Sequence, residues 1–83
     1  MTRVLVISMF THAIKVKVRE LSKKVNLSEV RLVAIKAMPY NLEEKLMGEQ
    51  FDYAFIDKFY DMDEVNIIRE HITGLQKNQI KRF

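Results

Sequence analysis

Ser8, Thr11, His12 and Asp57 are the side chains whose types and positions suit them for chemistry. Ser8 closes the apolar run Val4-Leu5-Val6-Ile7, and Met9, Phe10, Thr11 and His12 lead from it into a helix-forming stretch. A loop between a strand and a helix amino terminus can hold a phosphate, because free backbone amides and the helix dipole both favour an anion there. Such loops carry glycines so that the backbone can approach the phosphate, and residues 8–12 contain none. Thr11 reads instead as a helix cap, with Met9 and Phe10 obstructing the approach. Ser8 also lacks the G-x-S-x-G setting of a strand-to-helix nucleophile elbow, so hydrolase chemistry is not expected.

His12 and His71 are the only histidines and are too far apart in sequence to share a helical face, so no metal site is expected. His12 lies at the predicted crevice and could exchange a proton or accept a phosphoryl group, although no acid is near it in sequence to orient the ring. Asp57, followed by Lys58, ends a predicted strand, the position of the phospho-accepting aspartate in receiver domains. Receivers also need acids after their first strand to bind magnesium, and Ile7-Ser8 stand there. A loop or cap hydrogen bond is the simpler role for Asp57. The aromatic set Phe51, Tyr53, Phe55, Phe59 and Tyr60 could stack on bases, but alternation along a strand points to packing. No catalytic residue and no cofactor is expected.

The elements that position these residues follow from hydrophobic period. Arg3 to Ser8 contains a continuous β-branched and leucine run, the pattern of a strand covered on both faces. Ile14, Val18, Leu21 and Val25 recur at helical spacing after Thr11, with Lys15, Arg19 and Lys23 on another face, and Asn26 or Ser28 ends this helix. Val30 to Ala37 is a second strand whose Arg31 and Lys36 suit an edge. Asn41 and Glu44 have the form of a capping box opening a short helix that Gly48 closes. Asp52 to Asp57 reads as a third strand. Asp61 and Glu64 cap a last helix carrying Val65, Ile68, Ile72 and Leu75 through about Lys77, with Gly74 ending or weakening it. The order is βαβαβα, a three-layer, flavodoxin-like α/β fold with a short parallel sheet in strand order 2-1-3. Its crevice lies beyond the carboxyl ends of the strands, at Ser8–His12 and Asp57–Tyr60.

With 83 residues, 48% of them hydrophobic and 30% charged, the chain has the balance of one globular domain, residues 1–83, and no room for a second. The net charge of +3 comes largely from Lys15, Lys17, Arg19, Lys23 and Lys24, and from Lys77, Lys81 and Arg82. The absence of cysteine excludes disulfides and thiolate chemistry and fits a reducing cytoplasm. The longest apolar stretch, Val4 to Ile7, is far below the ~18–20 residues that span a bilayer, so no membrane association is expected.

The strings Val4-Leu5-Val6-Ile7-Ser8, Asn41-Leu42-Glu43-Glu44-Lys45-Leu46 and Asp52-Tyr53-Ala54-Phe55-Ile56 occur in an order that resembles the IIB component of sugar phosphotransferase systems of the lactose/cellobiose and galactitol type. The resemblance extends to about Tyr60. It implies a phosphocysteine after the first strand, in a glycine-containing loop; here Ser8 occupies that position and Met9 to Ala13 contain no glycine. A hydroxyl is a far weaker nucleophile than a thiolate at neutral pH. IIB-like domains without the cysteine form carboxy-terminal parts of transcriptional regulators of the Mga and AtxA type, where the resemblance implies self-association and DNA binding through other domains.

The leading expectation is therefore a non-catalytic, cytoplasmic IIB-like regulatory domain that forms a homodimer or docks within a transcriptional, virulence-type regulator, of which this chain would be the carboxy-terminal fragment. The second strand, through Val30, Leu32 and Ala34, or Ile67 and Val16 off the main stripes, would form the contact. One alternative is a phosphotransfer or receiver-like domain phosphorylated at Ser8, His12 or Asp57. Another is nucleic-acid binding by the basic helix, residues 12–25.

Overall fold

The computed structural model describes residues 1–72 and 79–83. Strand β1 (Thr2–Ser8) pairs in parallel with β2 (Val30–Lys36) on one side and β3 (Tyr53–Ile56) on the other. A further strand, β4 (Ile80–Arg82), lies parallel outside β3, so the sheet order is β2-β1-β3-β4. Helix α1 (Thr11–Ser22) joins β1 to β2. A 3-10 turn at Pro39–Asn41 runs directly into α2 (Leu42–Leu46), which precedes β3, and α3 (Met62–His71) follows β3.

The α/β class, the parallel sheet and the three layers are those read from the residue pattern, and β2-β1-β3 stand in the expected order. The addition is β4. Ile80-Lys81-Arg82 is three residues long with two cations; it pairs with Ala54 to Ile56, and the ladder is extended by Phe83 N–H donating to Ile56 C=O at 3.0 Å and Lys58 N–H to Phe83 C=O at 2.6 Å. A tail read as basic is thus the edge of the sheet, held by partners 25 or so residues away in the chain.

Central position explains the composition of β1. Leu5, Val6 and Ile7 are fully buried and Val4 nearly so, because both faces of the strand are covered. Its odd residues Leu5 and Ile7 join Ala54 and Ile56 in a core with Leu42 and Leu46 of α2 and Val65 and Ile68 of α3. Its even residues point to the other face, where α1 lies across β1 and β2 and contributes Leu21. Truncating Leu46 or Ile68, both 0% exposed, to alanine would cost about 2–5 kcal/mol by the usual transfer and cavity terms.

Local signals hold in part. Asp61 and Glu64 form the reciprocal capping box expected of them: Glu64 N–H donates to Asp61 Oδ1 and Asp61 N–H to Glu64 Oε1, both at 2.8 Å. Asn41 does not cap α2; its Oδ1 accepts from Met38 N–H at 2.8 Å, because the intervening 3-10 turn brings that amide closer. Thr11 is the first helical residue rather than the cap, which falls on Phe10. Helix α1 stops at Ser22, short of Asn26, in turns whose amides at Lys24 and Val25 both reach Leu21 C=O. Gly48, at φ 76°, supplies the left-handed residue that turns the chain after α2. The expected extension of the last helix from Thr73 to Lys77 lies outside the described residues.

One tie was not anticipated. Arg3 donates through its side chain to Gln50 C=O and Glu49 Oε2, both at 2.8 Å, and its guanidinium lies 5.0 Å from the centre of the Phe51 ring. These contacts pin the start of β1 to the segment that feeds β3.

Candidate functional site

Ser8 ends β1 and Asp57 follows β3, its neighbour in the sheet, so parallel pairing sets the two side chains together at the carboxyl end. Ser8 Oγ–H donates to Asp57 Oδ2, and both residues are buried, 0% and 2% exposed. They are the only buried polar or charged residues among those described. Ser8 Oγ in turn accepts from Phe10 N–H at 2.9 Å, and Asp57 Oδ1 accepts from Phe59 N–H at 2.9 Å. Each group is satisfied, as burial requires.

The two residues whose amides bond to this pair also bring their rings together. The rings of Phe10 and Phe59 meet edge to face, with centroids 5.5 Å apart and planes at 80°. Both stay about half exposed, at 49% and 64%, and Met9 is tucked against the core. A second anchoring layer lies below. Tyr60 O–H donates to Ala37 C=O at 2.5 Å, and burial, with Asp57 and Glu64 nearby, holds the phenol well above its usual range. Arg82 Nη2 donates to Tyr60 C=O at 2.6 Å and to Asp57 C=O at 3.2 Å, closing the turn after β3 from the side of β4.

Neither acceptor side chain is open to solvent in this arrangement. Phosphorylation of Ser8 needs in-line access to Oγ, and that atom has no exposed surface. The loop amide that would hold an anion, Phe10 N–H, is turned onto Ser8 Oγ instead. The Asp57 carboxyl occupies the adjoining space, and a second acidic group beside an incoming phosphate is repulsive. Both Asp57 oxygens are likewise engaged. No group of three metal-ligating side chains exists among the described residues.

Of the residues singled out in the sequence, the fold brings Ser8, Phe10 and Asp57 together and leaves others out. Thr11 and His12 are exposed at the start of α1, and His12 bonds to neither Ser8 nor Asp57. It lines a shallow hollow with Ala13, Val16, Lys17, Glu20 and Phe83. Lys58 is exposed and joins the sheet only through its backbone. Val30, Leu32 and Ala34 lie on β2, an edge strand as expected, on the face that carries α1; Ile67 is on α3 in the opposite layer, against the main core. The proposed contact residues thus belong to two separate surfaces. Phe59 and Tyr60 fall within the crevice expected at Asp57–Tyr60, whereas Arg82 was missed as a part of this site. Tyr60 and Phe59 carried a signal as aromatics directly after an acid-terminated strand, whereas Arg82 carried none.

Comparison of the chain with protein-family models, with curated proteins and with solved structures finds no match. No helix among the described residues is long and apolar enough to cross a membrane.

Proposed function

We propose that this chain is a non-catalytic regulatory domain of IIB-like build, working by docking or self-association within a transcriptional regulator. The observation that carries the reading is the burial of Ser8, bonded to Asp57 and to the Phe10 amide. A position that serves phosphotransfer in the resembling family is here a packing element. What remains exposed beyond the strand ends is aromatic, the Phe10–Phe59 pair and, after β2, the 86%-exposed Tyr40, suited to contact rather than reaction.

The β2 edge supports the same reading. Its seven residues offer unpaired backbone groups on one side, blunted only by Arg31 and Lys36. Two experiments test the proposal together. Incubation with phosphoryl donors followed by intact-mass measurement is expected to leave the mass unchanged, and phosphate on Ser8, His12 or Asp57 would end the non-catalytic reading. Light scattering coupled to size exclusion across a concentration series then separates a reversible dimer from a monomer that works by docking.

A further inference from the structure

The two faces of the sheet are unequally covered. Helices α2 and α3 close one face over a continuous core, whereas among the described residues α1 is the one helix on the other face and packs on β1 and β2. The α1-side residues of β3 and β4 are left open: Tyr53 is 47% exposed, Phe55 is partly exposed, and Lys81 is exposed. All-parallel sheets are normally covered by helices on both faces.

The uncovered strip is a groove. Beneath the carboxyl end of α1 it forms an apolar hollow of about 250 Å³ floored by Val4, Leu32, Tyr53 and Phe55 and walled by Leu21 and Val25. Farther along α1 lies a second, shallower hollow of about 380 Å³ between Val16, itself 49% exposed, and Phe83. Lys17 bridges the two, its ammonium 4.8 Å from the Phe55 ring centre and 5.7 Å from that of Phe83. The 12 residues of α1 beside the two hollows span about 18 Å at helical rise, the length of a partner helix of three to four turns.

Its charge decides what fits. Lys17 and Lys81 line the groove, and Lys24 stands beside it. The one acid there, Glu20, is already shared by Lys17 and Lys24 at 3.3 and 3.2 Å, which hold its carboxyl below the usual range. Among the described residues no acid pairs with Lys81. A second copy presenting its own α1 would set Lys15, Lys17, Arg19, Lys23 and Lys24 against this rim, and juxtaposed like charges oppose association.

We infer that the groove along α1, over β3 and β4, docks an amphipathic helix of a partner protein with leucine-type anchors on one face and glutamates flanking them. This rests on the reading of the chain as an interaction domain and names the surface and the chemistry of its partner.

The test uses the 83-residue chain and two labelled synthetic helices of about 16 residues with identical leucine spacing, one flanked by glutamate and one by lysine. Fluorescence anisotropy is expected to show saturable binding of the acidic helix, weakened about tenfold or more by raising salt from 50 to 500 mM, and none of the basic helix. Lys81→Glu and Tyr53→Ser, both at exposed positions, should each weaken binding at least tenfold while leaving the circular dichroism spectrum unchanged. Equal binding of both helices, no binding of the acidic one, or binding indifferent to both variants would overturn the inference. So would a dimer that Tyr53→Ser dissociates, since the groove would then belong to a second copy. None of these results bears on phosphorylation, so the inference can fail while the non-catalytic reading stands.

Discussion

Ser8 and Asp57 are 49 residues apart in the chain and hydrogen-bonded in the buried end of the sheet, where Ser8 Oγ–H donates to Asp57 Oδ2. The pair joins β1 to the turn after β3, and each member also fixes one loop amide, Phe10 N–H on one side and Phe59 N–H on the other. Removing Asp57 therefore leaves the buried Ser8 hydroxyl and the part-buried Phe59 amide without an acceptor, and removing Ser8 leaves the part-buried Phe10 amide without an acceptor and Asp57 Oδ2 without its donor.

Asp57→Ala strands the Ser8 hydroxyl and the Phe59 amide together. The expected loss is about 2–4 kcal/mol, with Ser8→Ala costing about 1–3 kcal/mol, both read from urea unfolding. The double variant should lose less than the sum of the two, by at least about 0.5 kcal/mol, because the two residues share one bond. Strict additivity would mean that the bond contributes nothing.

Tyr60 makes folding sensitive to alkali. Its phenol ionises above the ordinary tyrosine value of about 10 in the folded state, because burial disfavours the phenolate and Asp57 and Glu64 repel it. Below that ordinary value both states keep the proton and the full stability is present. As pH rises above it the unfolded chain releases the proton first, so stability falls until the folded-state value is reached. Tyr60→Phe should cost about 1 kcal/mol at pH 7, through the lost bond to Ala37 C=O, and should flatten the alkaline decline. A wild-type unfolding midpoint that stays level from pH 9 to pH 11 would contradict this account.

Arg82 ties the sheet edge to the turn after β3 by bonds to Tyr60 and Asp57 carbonyls. Arg82→Met keeps the stem and removes the donors. Global stability should fall by about 1–2 kcal/mol, and amide exchange should accelerate most at Phe83 and Lys58, whose backbone bonds join the tail to β3. Uniform acceleration across β1 would show that β4 is not separately held.

The Phe10–Phe59 contact is half exposed, so its disruption should be mild in stability. Phe59→Ala is expected to cost about 0.5–1.5 kcal/mol. Intact-mass measurement after exposure to a phosphoryl donor should remain unchanged in this variant too, since Ser8 Oγ stays bonded to Asp57 when the Phe59 ring is removed. Phosphorylation appearing only in the variant would mean that the rings alone guard the site.

Residue pattern by itself determined the α/β class, the central place of β1, the β2 edge and the cap of α3. Each depends on hydrophobic period or on a bond spanning three residues: Val4 to Ile7 must be covered on both faces, and Asp61 and Glu64 meet within one helical turn. Tertiary structure decided the rest. Whether Ser8 and Asp57 are reactive or locked depends on parallel register across 49 residues and on which amides turn inward, and neither leaves a local mark. The same holds for β4, whose three residues become a strand because β3 presents backbone groups to them, and for the open groove, since among the described residues α1 packs on β1 and β2 and leaves Tyr53 and Lys81 exposed. Local periodicity encodes what a segment must bury; only the assembled sheet decides against what.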